Sequence, residues 1–530
     1  KADTSIAVMG ALSPDGPSSA RPLPTGHSGS VNGGTRQDDT AAQSPPPAPV
    51  ARHSDDSLWS PGRRALTIGL VLNVTIVASE ALAVGTILPI VAEDLGNLDL
   101  YGWVFSGFFL GNLLGIVVAG VLIDRGGLTR PFLIGIGLFS IGLLIGGLAP
   151  SMAILVVARI IQGFGAGAIP AVAYVAIGRA MPERLRPRMF ATLSTAWILP
   201  GVVGPVLASV VTDLWDWRIV FLGLLPFIAL AAALTLPAIR AVAPAPVPAP
   251  APTTDGAAAP TRTRRRLPLA VVLVVGAGLV VSGLSNVSAI PLILIAAGLA
   301  IGVPAFARLT PAGTIRAATG LPTAILLRGF LTFAFFAADV YVPLVLQGWR
   351  GEPAIMSGLA YMSATVTWTV GSWVQARRVA ELGPGRFLRA GFLILIVGIV
   401  GFLLVLLPWV PPAAGIVIWG IAGFGMGLSY STPSLVVLRE APPDEQGAAT
   451  AGLQLSDVLG ASLGTGIGGA LIAFGSRAGE PAWEALAATF GLAALVAVAG
   501  LALTARLGAR TFAGLPPAHA STIGHEPVVG

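Results

Sequence analysis

The chain has no cysteine, four histidines and a single lysine, Lys1, in 530 residues. Without cysteine there is no disulfide framework, no thiol nucleophile and no thiolate metal site. Four histidines leave a zinc or iron centre almost without ligands. Charge is also scarce: Asp, Glu, Lys and Arg make up 11% of the residues, against about 25% in a soluble protein. Such a chain cannot cover an ordinary water-exposed surface. No GxxxxGK[ST] phosphate loop occurs, so ATP-driven pumping would need another subunit.

Apolar sequence fills the gap. Hydrophobic residues reach 54%, and the mean hydropathy is +0.82. A crossing of the hydrocarbon core needs about 20 apolar residues. Such runs occur at 65–91, 101–123, 131–149, 152–178, 189–212 and 218–239, then at 322–346, 354–376, 387–407, 412–438, 447–474 and 482–505. Between the two groups no charge occurs from Leu267 to Ala307. As one helix these 41 residues would be about 62 Å long, about twice the core thickness. Two crossings turning near Ser285 and Asn286 fit instead, which makes fourteen.

A net charge of +6 and a pI near 10.4 raise nucleic-acid binding as a reading. That reading needs arginines clustered on a recognition surface, whereas here they stand singly or in short groups between apolar runs. Basic residues are retained on the cytoplasmic side of short loops. With the N-terminal tail and the two arginines inside apolar runs, Arg159 and Arg328, set aside, and both termini inside, 22 arginines fall on the cytoplasmic side. Only Arg218, Arg350 and Arg477 fall outside. The basic balance therefore reports topology, with no nucleic acid as partner.

The expected organisation has six parts. Residues 1–60, rich in Ser, Pro, Gly and Ala, form a disordered tail. They lack the basic start and apolar stretch of a secretion signal, so the first crossing is expected to direct insertion. Residues 61–240 form one six-helix half and 308–508 the other. Between them lie a cytoplasmic Pro/Ala/Arg linker, 241–266, and an inserted hairpin, 267–307. Residues 509–530 form a second tail. The halves repeat: Gly163-Phe164-Gly165 and Gly167 recur as Gly423-Phe424-Gly425 and Gly427, and Glu80 has Asp339 at an offset of 259. Paired halves around a midplane site are the architecture of secondary transporters.

Three segments carry a resemblance. GVLIDRGGLTRP runs from Gly120 to Pro131, RIIQGFGAG contains Arg159, Gln162, Gly163, Gly165 and Gly167, and PGVVGPV contains Gly201, Gly204 and Pro205. Over roughly residues 60–508 the chain resembles a major facilitator superfamily transporter, in particular the fourteen-helix drug:proton antiporters. The chain departs from the family pattern at three points. Leu128-Thr129 stands for a basic pair, Ala208-Ser209 for a Gly pair, and Ala376 for the aspartate that precedes Arg377 in the second half.

The resemblance implies an all-α major facilitator fold with a cavity lined by crossings 1, 4, 9 and 12. It implies that Gly120, Asp124, Arg125, Gly127 and Arg130 form a conformational latch on the cytoplasmic side; the competing reading is a solvated turn. Gly163, Gly165 and Gly167 read as close helix packing, and Gly201, Gly204 and Pro205 match the segment associated with antiport.

Physical chemistry singles out the charges at membrane depth. An arginine there costs several kcal/mol unless it faces a cavity or an acid, so Arg159 lies inside the bundle, as a proton-coupling group or a hydrogen-bond hub. Glu80, Asp339 and Asp457 are carboxylates within apolar runs. Low dielectric disfavours the charged form of an acid, which lets such a group exchange protons near neutral pH. Glu80 and Asp339 read as proton or cationic-substrate sites or, for Glu80, as a static partner of a polar residue such as Asn112. Asp457 aligns with Trp197 and has no acidic counterpart. Arg328, some six residues from its helix end, is expected to snorkel to the interface. Trp197, Tyr341, Phe333, Phe335 and Phe336 could face an amphipathic cation or simply pack.

The expected function is a proton-driven exporter of small amphiphilic compounds, a multidrug-efflux protein. It would be a monomeric multi-pass protein of the plasma membrane with both termini cytoplasmic, no cofactor beyond the proton gradient and no enzymatic activity. The rivals are an importer or uniporter of a nutrient, a receptor, and a lipid-linked enzyme. The last two need a folded signalling module or a sizeable soluble loop. The hairpin is expected to serve packing or lipid contact.

Overall fold

The computed structural model describes residues 57–61, 63–242, 259–285, 290–442, 445–479 and 481–508. Most of the expected N-terminal tail, the centre of the linker and the C-terminal tail lie outside the described residues. All regular elements among the described residues are helical. The first half comprises α1 (Arg64–Leu95), α2 (Tyr101–Gly126), α3 (Thr129–Gly147), α4 (Met152–Ala180), α5 (Arg186–Thr195), α6 (Ile198–Leu214), α7 (Trp217–Leu222) and α8 (Leu225–Ala241). Next come α9 (Ala259–Leu284), which begins inside the expected linker, and α10 (Ile290–Leu309). The second half comprises α11 (Leu321–Asp339), α12 (Ala354–Leu382), α13 (Pro384–Leu403), α14 (Ala414–Ser429), α15 (Thr432–Glu440), α16 (Gln446–Ala478) and α17 (Ala482–Leu503).

Among the described residues, twelve helical segments are long and apolar enough to cross a membrane. Two expected crossings fall short of that measure. The run 189–212 is split into α5 and the 17-residue α6, and α12, 29 residues long, is more polar.

Proline explains the splits. Its ring clashes with the carbonyl four residues earlier and it has no N–H to donate. Pro200 therefore stops α6 from extending backward into α5, and the freed carbonyl of Ala196 accepts the Thr75 hydroxyl at 3.3 Å. Pro226 and Pro433 sit in the first turns of α8 and α15, after the breaks that set those helices off from α7 and α14. Pro343 ends α11 in the same way, and a wide π-turn, Leu344–Trp349, follows.

The sequence repeat is a packing repeat. A Cβ on Gly163 or Gly167 of α4 would overlap the α2 carbonyls of Phe108 and Asn112. On α14, Gly423 and Gly427 meet the α12 carbonyls of Ala364 and Trp368 with the same spacing. Gly165 faces Gly135 and Phe139 of α3, as Gly425 faces Gly391 and Leu395 of α13. Bare backbones let these helices approach closely, the means of association where no water drives burial.

The helix ends define two faces, named here for Asp99 and Asp124. The three arginines that break the charge asymmetry each hold the Asp99 face together. Arg218 pairs with Asp94 at 3.1 Å and lies over the Trp217 ring. Arg350 donates to the carbonyls of Val405, Leu407 and Val410 at 2.6–2.9 Å, tying the π-turn to the end of α13. Arg477 pairs with Asp99 at 2.9 Å.

The halves meet along two seams, α2 with α16 and α6 with α12. In the second seam Gly201 fits against Thr365 and Gly358 against Pro205. Helices α9 and α10 are antiparallel and pack through Gly276, Gly283, Gly298 and Gly302. Leu113, Ala270, Leu273, Phe306 and Leu455 form one apolar cluster, which places this pair against α2 of one half and α16 of the other.

Candidate functional site

Helices α1 and α4 bring Glu80 and Arg159 together as an ion pair, each side chain 1% exposed. The Arg159 guanidinium also donates to Gln162 Oε1 at 2.7 Å and to the Val104 carbonyl at 3.3 Å, and it lies 4.2 Å from the centre of the Phe108 ring. Gln162 sits one turn after Arg159, so helical spacing supplies this second acceptor. The expected static partner of Glu80 is thus Arg159 in place of Asn112, whose backbone carbonyl faces Gly167.

Asp339 occupies the corresponding place in the second half but has a different neighbour. Trp419 of α14 lies 260 residues after Arg159, and its indole Nε1–H donates to Asp339 Oδ1 at 2.9 Å. An indole stands where the first half has a guanidinium. Among the described residues no cation pairs with Asp339, and its side chain is partly exposed. The backbone is special here too. Asp339 is the last residue of α11, and Pro343 removes the donor for its carbonyl, which accepts the Tyr361 hydroxyl at 2.9 Å instead. Tyr361 in turn presses against Gly85 of α1, so the break at Asp339 touches the opposite half.

Asp457 and Arg328 overturn one expectation. Arg328 does not reach for the interface. It is 5% exposed and forms a two-pronged ion pair with Asp457, Nε to Oδ1 at 2.8 Å and Nη2 to Oδ2 at 3.2 Å. It also donates to the Tyr430 carbonyl and lies over the Tyr430 ring, whose hydroxyl donates to Asp457 at 3.1 Å. A matched acid on the neighbouring α16 offsets the cost of burying the guanidinium, whereas snorkelling would leave Asp457 buried and unpaired.

The other sequence candidates separate by location. At the Asp124 face, Asp124, Arg125 and Arg130 are exposed, and among the described residues Asp124 forms no ion pair. Gly127 has φ +83, a conformation that favours glycine in this turn. A Cβ on Gly120 would meet nothing. Gly204 has only Ser79 at ordinary contact distance, while Gly201 and Pro205 lie in the α6–α12 seam. Trp197 is 48% exposed at the α5–α6 break. Tyr341 is fully buried and donates to the Thr465 carbonyl at 2.6 Å. Phe335 stacks on Trp419, while Phe336 meets Phe109 of the first half at 5.4 Å. Phe333 faces Gly464 of α16. Sequence reasoning missed Trp419, Tyr361 and Tyr430; the repeat offset that linked Glu80 to Asp339 also leads from Arg159 to Trp419.

Hydrogen bonds between the halves gather near the Asp99 face. Ser106 and Ser462 are 3.1 Å apart, the Tyr101 hydroxyl donates to the Val340 carbonyl at 3.3 Å, and Gln347 Nε2 donates to the Thr86 carbonyl at 2.8 Å. Gly102 and Gly469 bring the backbones of α2 and α16 together at the same level.

A family model described as Major Facilitator Superfamily matches residues 69–454. An uncharacterized MFS-type transporter of Mycobacterium tuberculosis is 28% identical over 438 residues, 81% of this chain and 62% of that protein. The chain thus spans less than two thirds of that relative. The multidrug efflux pump SdrM of Staphylococcus aureus is 25% identical over 431 residues, 77% of this chain and 90% of the pump. Among solved structures, an auto-inhibited POT family peptide transporter aligns with a TM-score of 0.61 at 17% identity, covering 83% of this chain and 96% of that one. The xylose transporter XylE from E. coli aligns with a TM-score of 0.53 at 14% identity, covering 82% and 96%. Likeness at these identities is likeness of fold.

Proposed function

The chain belongs to the Major Facilitator Superfamily, and from that premise we propose a proton-coupled exporter of small amphiphilic compounds in which Asp339 takes up and releases the proton. One observation carries the assignment: Asp339 is held by a neutral indole where its counterpart Glu80 is held by a guanidinium. Glu80 and Asp457 are each neutralised by an arginine within the same half, and their pairs hold helices together. Asp339 has no such partner among the described residues, so its charge is balanced by a proton or by a cationic substrate. The end of α11 adds the partial negative charge of a helix C-terminus to the same spot. Broken helices whose ends line the midplane are the usual seat of substrate and coupling ions in transporters.

The coupling follows from this exclusivity. A proton on Asp339 neutralises the site and permits reorientation; release on the cytoplasmic side restores the negative charge that attracts the next amphipathic cation. The partly exposed rings of Phe336, Phe109 and Trp368 offer apolar and cation–π faces nearby. Reorientation is a rocking of the two halves, with the Asp99 face external and sealed in this state and the Asp124 face cytoplasmic. The arginine asymmetry supports that orientation. In this reading there are fourteen crossings, the twelve apolar spans plus α5–α6 and α12, in a plasma-membrane protein that works as a monomer with both termini inside. Gly120, Asp124, Arg125, Gly127 and Arg130 act as the latch of the alternate state. The multidrug efflux activity named for SdrM, at 25% identity, supports the substrate class. Proteoliposomes test the reading: an inward proton gradient should drive exchange of a lipophilic cation in the wild type and not in Asp339→Asn.

A further inference from the structure

A cleft of about 390 Å³ opens at the Asp99 face where three bodies meet: the first half through α2 and α4, the inserted α9, and the second half through α16. Its mouth is polar. Arg477 and Asp99 form an ion pair there with side chains 34% and 31% exposed, so both charges remain reachable. Arg477 also donates to the Ser285 carbonyl at the end of α9, and Ser282 adds a hydroxyl one turn deeper. Below the mouth the lining turns apolar with Val156 and Ile160 of α4, and the indole of Trp103 closes one side. Ile160 is 40% exposed and its neighbour Val157 52%, so the floor continues onto an outward apolar surface.

We propose that this cleft binds the headgroup and upper acyl chain of a zwitterionic phospholipid, a phosphatidylethanolamine. The polar mouth lies at helix ends, which in a membrane protein is headgroup depth, and an interfacial indole is placed as aromatic belts place it. Adjacent opposite charges complement a headgroup that itself carries both signs: the phosphate meets Arg477 and the ammonium meets Asp99. An anionic headgroup would satisfy Arg477 but face Asp99 without an ammonium to offer it. The two ligating charges come from different halves, so the complete mouth exists only while the Asp99 face is closed, and a bound lipid favours that state. The inserted hairpin thereby gains a role: α9 supplies the wall that turns a seam between halves into a lipid site.

The test is photolabelling in vesicles, independent of transport. Protein is reconstituted with phosphatidylethanolamine carrying a diazirine in its acyl chain or, in parallel, with the matching phosphatidylglycerol, and adducts are mapped by mass spectrometry. Phosphatidylethanolamine adducts should concentrate on 100–103, 153–160 and 282–285, with about a fivefold preference over phosphatidylglycerol, the scale of one exposed ion pair. Ala153→Phe, at an exposed lining position, fills the cleft without removing a polar group and should reduce labelling there to the level of α17. Asp99→Ala with Arg477→Ala should abolish the preference while labelling of α17 stays unchanged. Equal labelling by both lipids, a preference for phosphatidylglycerol, or labelling that survives Ala153→Phe would each overturn the proposal.

Discussion

Removing one partner of the Glu80–Arg159 pair should be far more damaging than removing both. Two charges about 4 Å apart attract by about 4 kcal/mol at an effective dielectric of 20, while each ion loses several kcal/mol of solvation on burial. The pair therefore contributes little net stability, but either charge alone is uncompensated. Arg159→Met leaves Glu80 a buried carboxylate without its cation, and the expected loss is about 3–5 kcal/mol. Glu80→Gln should fall below that range, because Arg159 keeps Gln162, the Val104 carbonyl and the Phe108 ring. The double variant, neutral and of similar volume, should lie within about 1–2 kcal/mol of the wild type, giving an interaction energy at the upper end of measured cycles. Thermal unfolding of the purified protein in detergent, followed by tryptophan fluorescence, reads all four corners. Because the pair is structural in this account, the double variant should also keep proton-driven transport. Additive losses would refute the pairing argument; a stable double variant that had lost coupling would move the proton site from Asp339 to Glu80.

Three further outcomes follow from the geometry. The chain has no native cysteine, so Ser106→Cys with Ser462→Cys gives an unambiguous cross-link across hydroxyls 3.1 Å apart; oxidation should stop transport and reduction restore it, whereas unaffected transport would show that the Asp99 face need not open there. Gly163→Val and Gly427→Val drive a side chain into a facing backbone carbonyl, and each should lower stability by about 1–3 kcal/mol or more, while Gly120→Val, with open space, should change it by less than about 1 kcal/mol. Arg328→Met alone should lower the unfolding temperature, and Arg328→Met with Asp457→Asn should recover most of that loss; no recovery would mean that Arg328 acts mainly through Tyr430.

Much of the helical architecture was legible in the sequence because a membrane imposes coarse rules. Apolar length and the glycine repeat each leave a period or a count in the sequence. The repeat carried the most information: Gly163 and Gly423 are needed for the same close approach in both halves, so the spacing survives. The helix breaks were not readable: Pro200, Pro226, Pro343 and Pro433 stand at breaks, but Pro89, Pro170, Pro205 and Pro304 lie just as deep in apolar runs within unbroken helices. Pairing between charges was not readable. Arg328 and Asp457 are 129 residues apart, and nothing local distinguishes a snorkelling arginine from one that meets an acid on another helix. The indole at Asp339 was hidden for a related reason, because attention to charged residues passes over a neutral donor.

The most direct measurement is lipophilic-cation transport in proteoliposomes under an imposed proton gradient, comparing the wild type, Asp339→Asn and the Glu80→Gln/Arg159→Met double variant. The account predicts gradient-driven accumulation in the wild type and the double variant, and none in Asp339→Asn at equal protein incorporation. Accumulation in Asp339→Asn that still followed the proton gradient would contradict it.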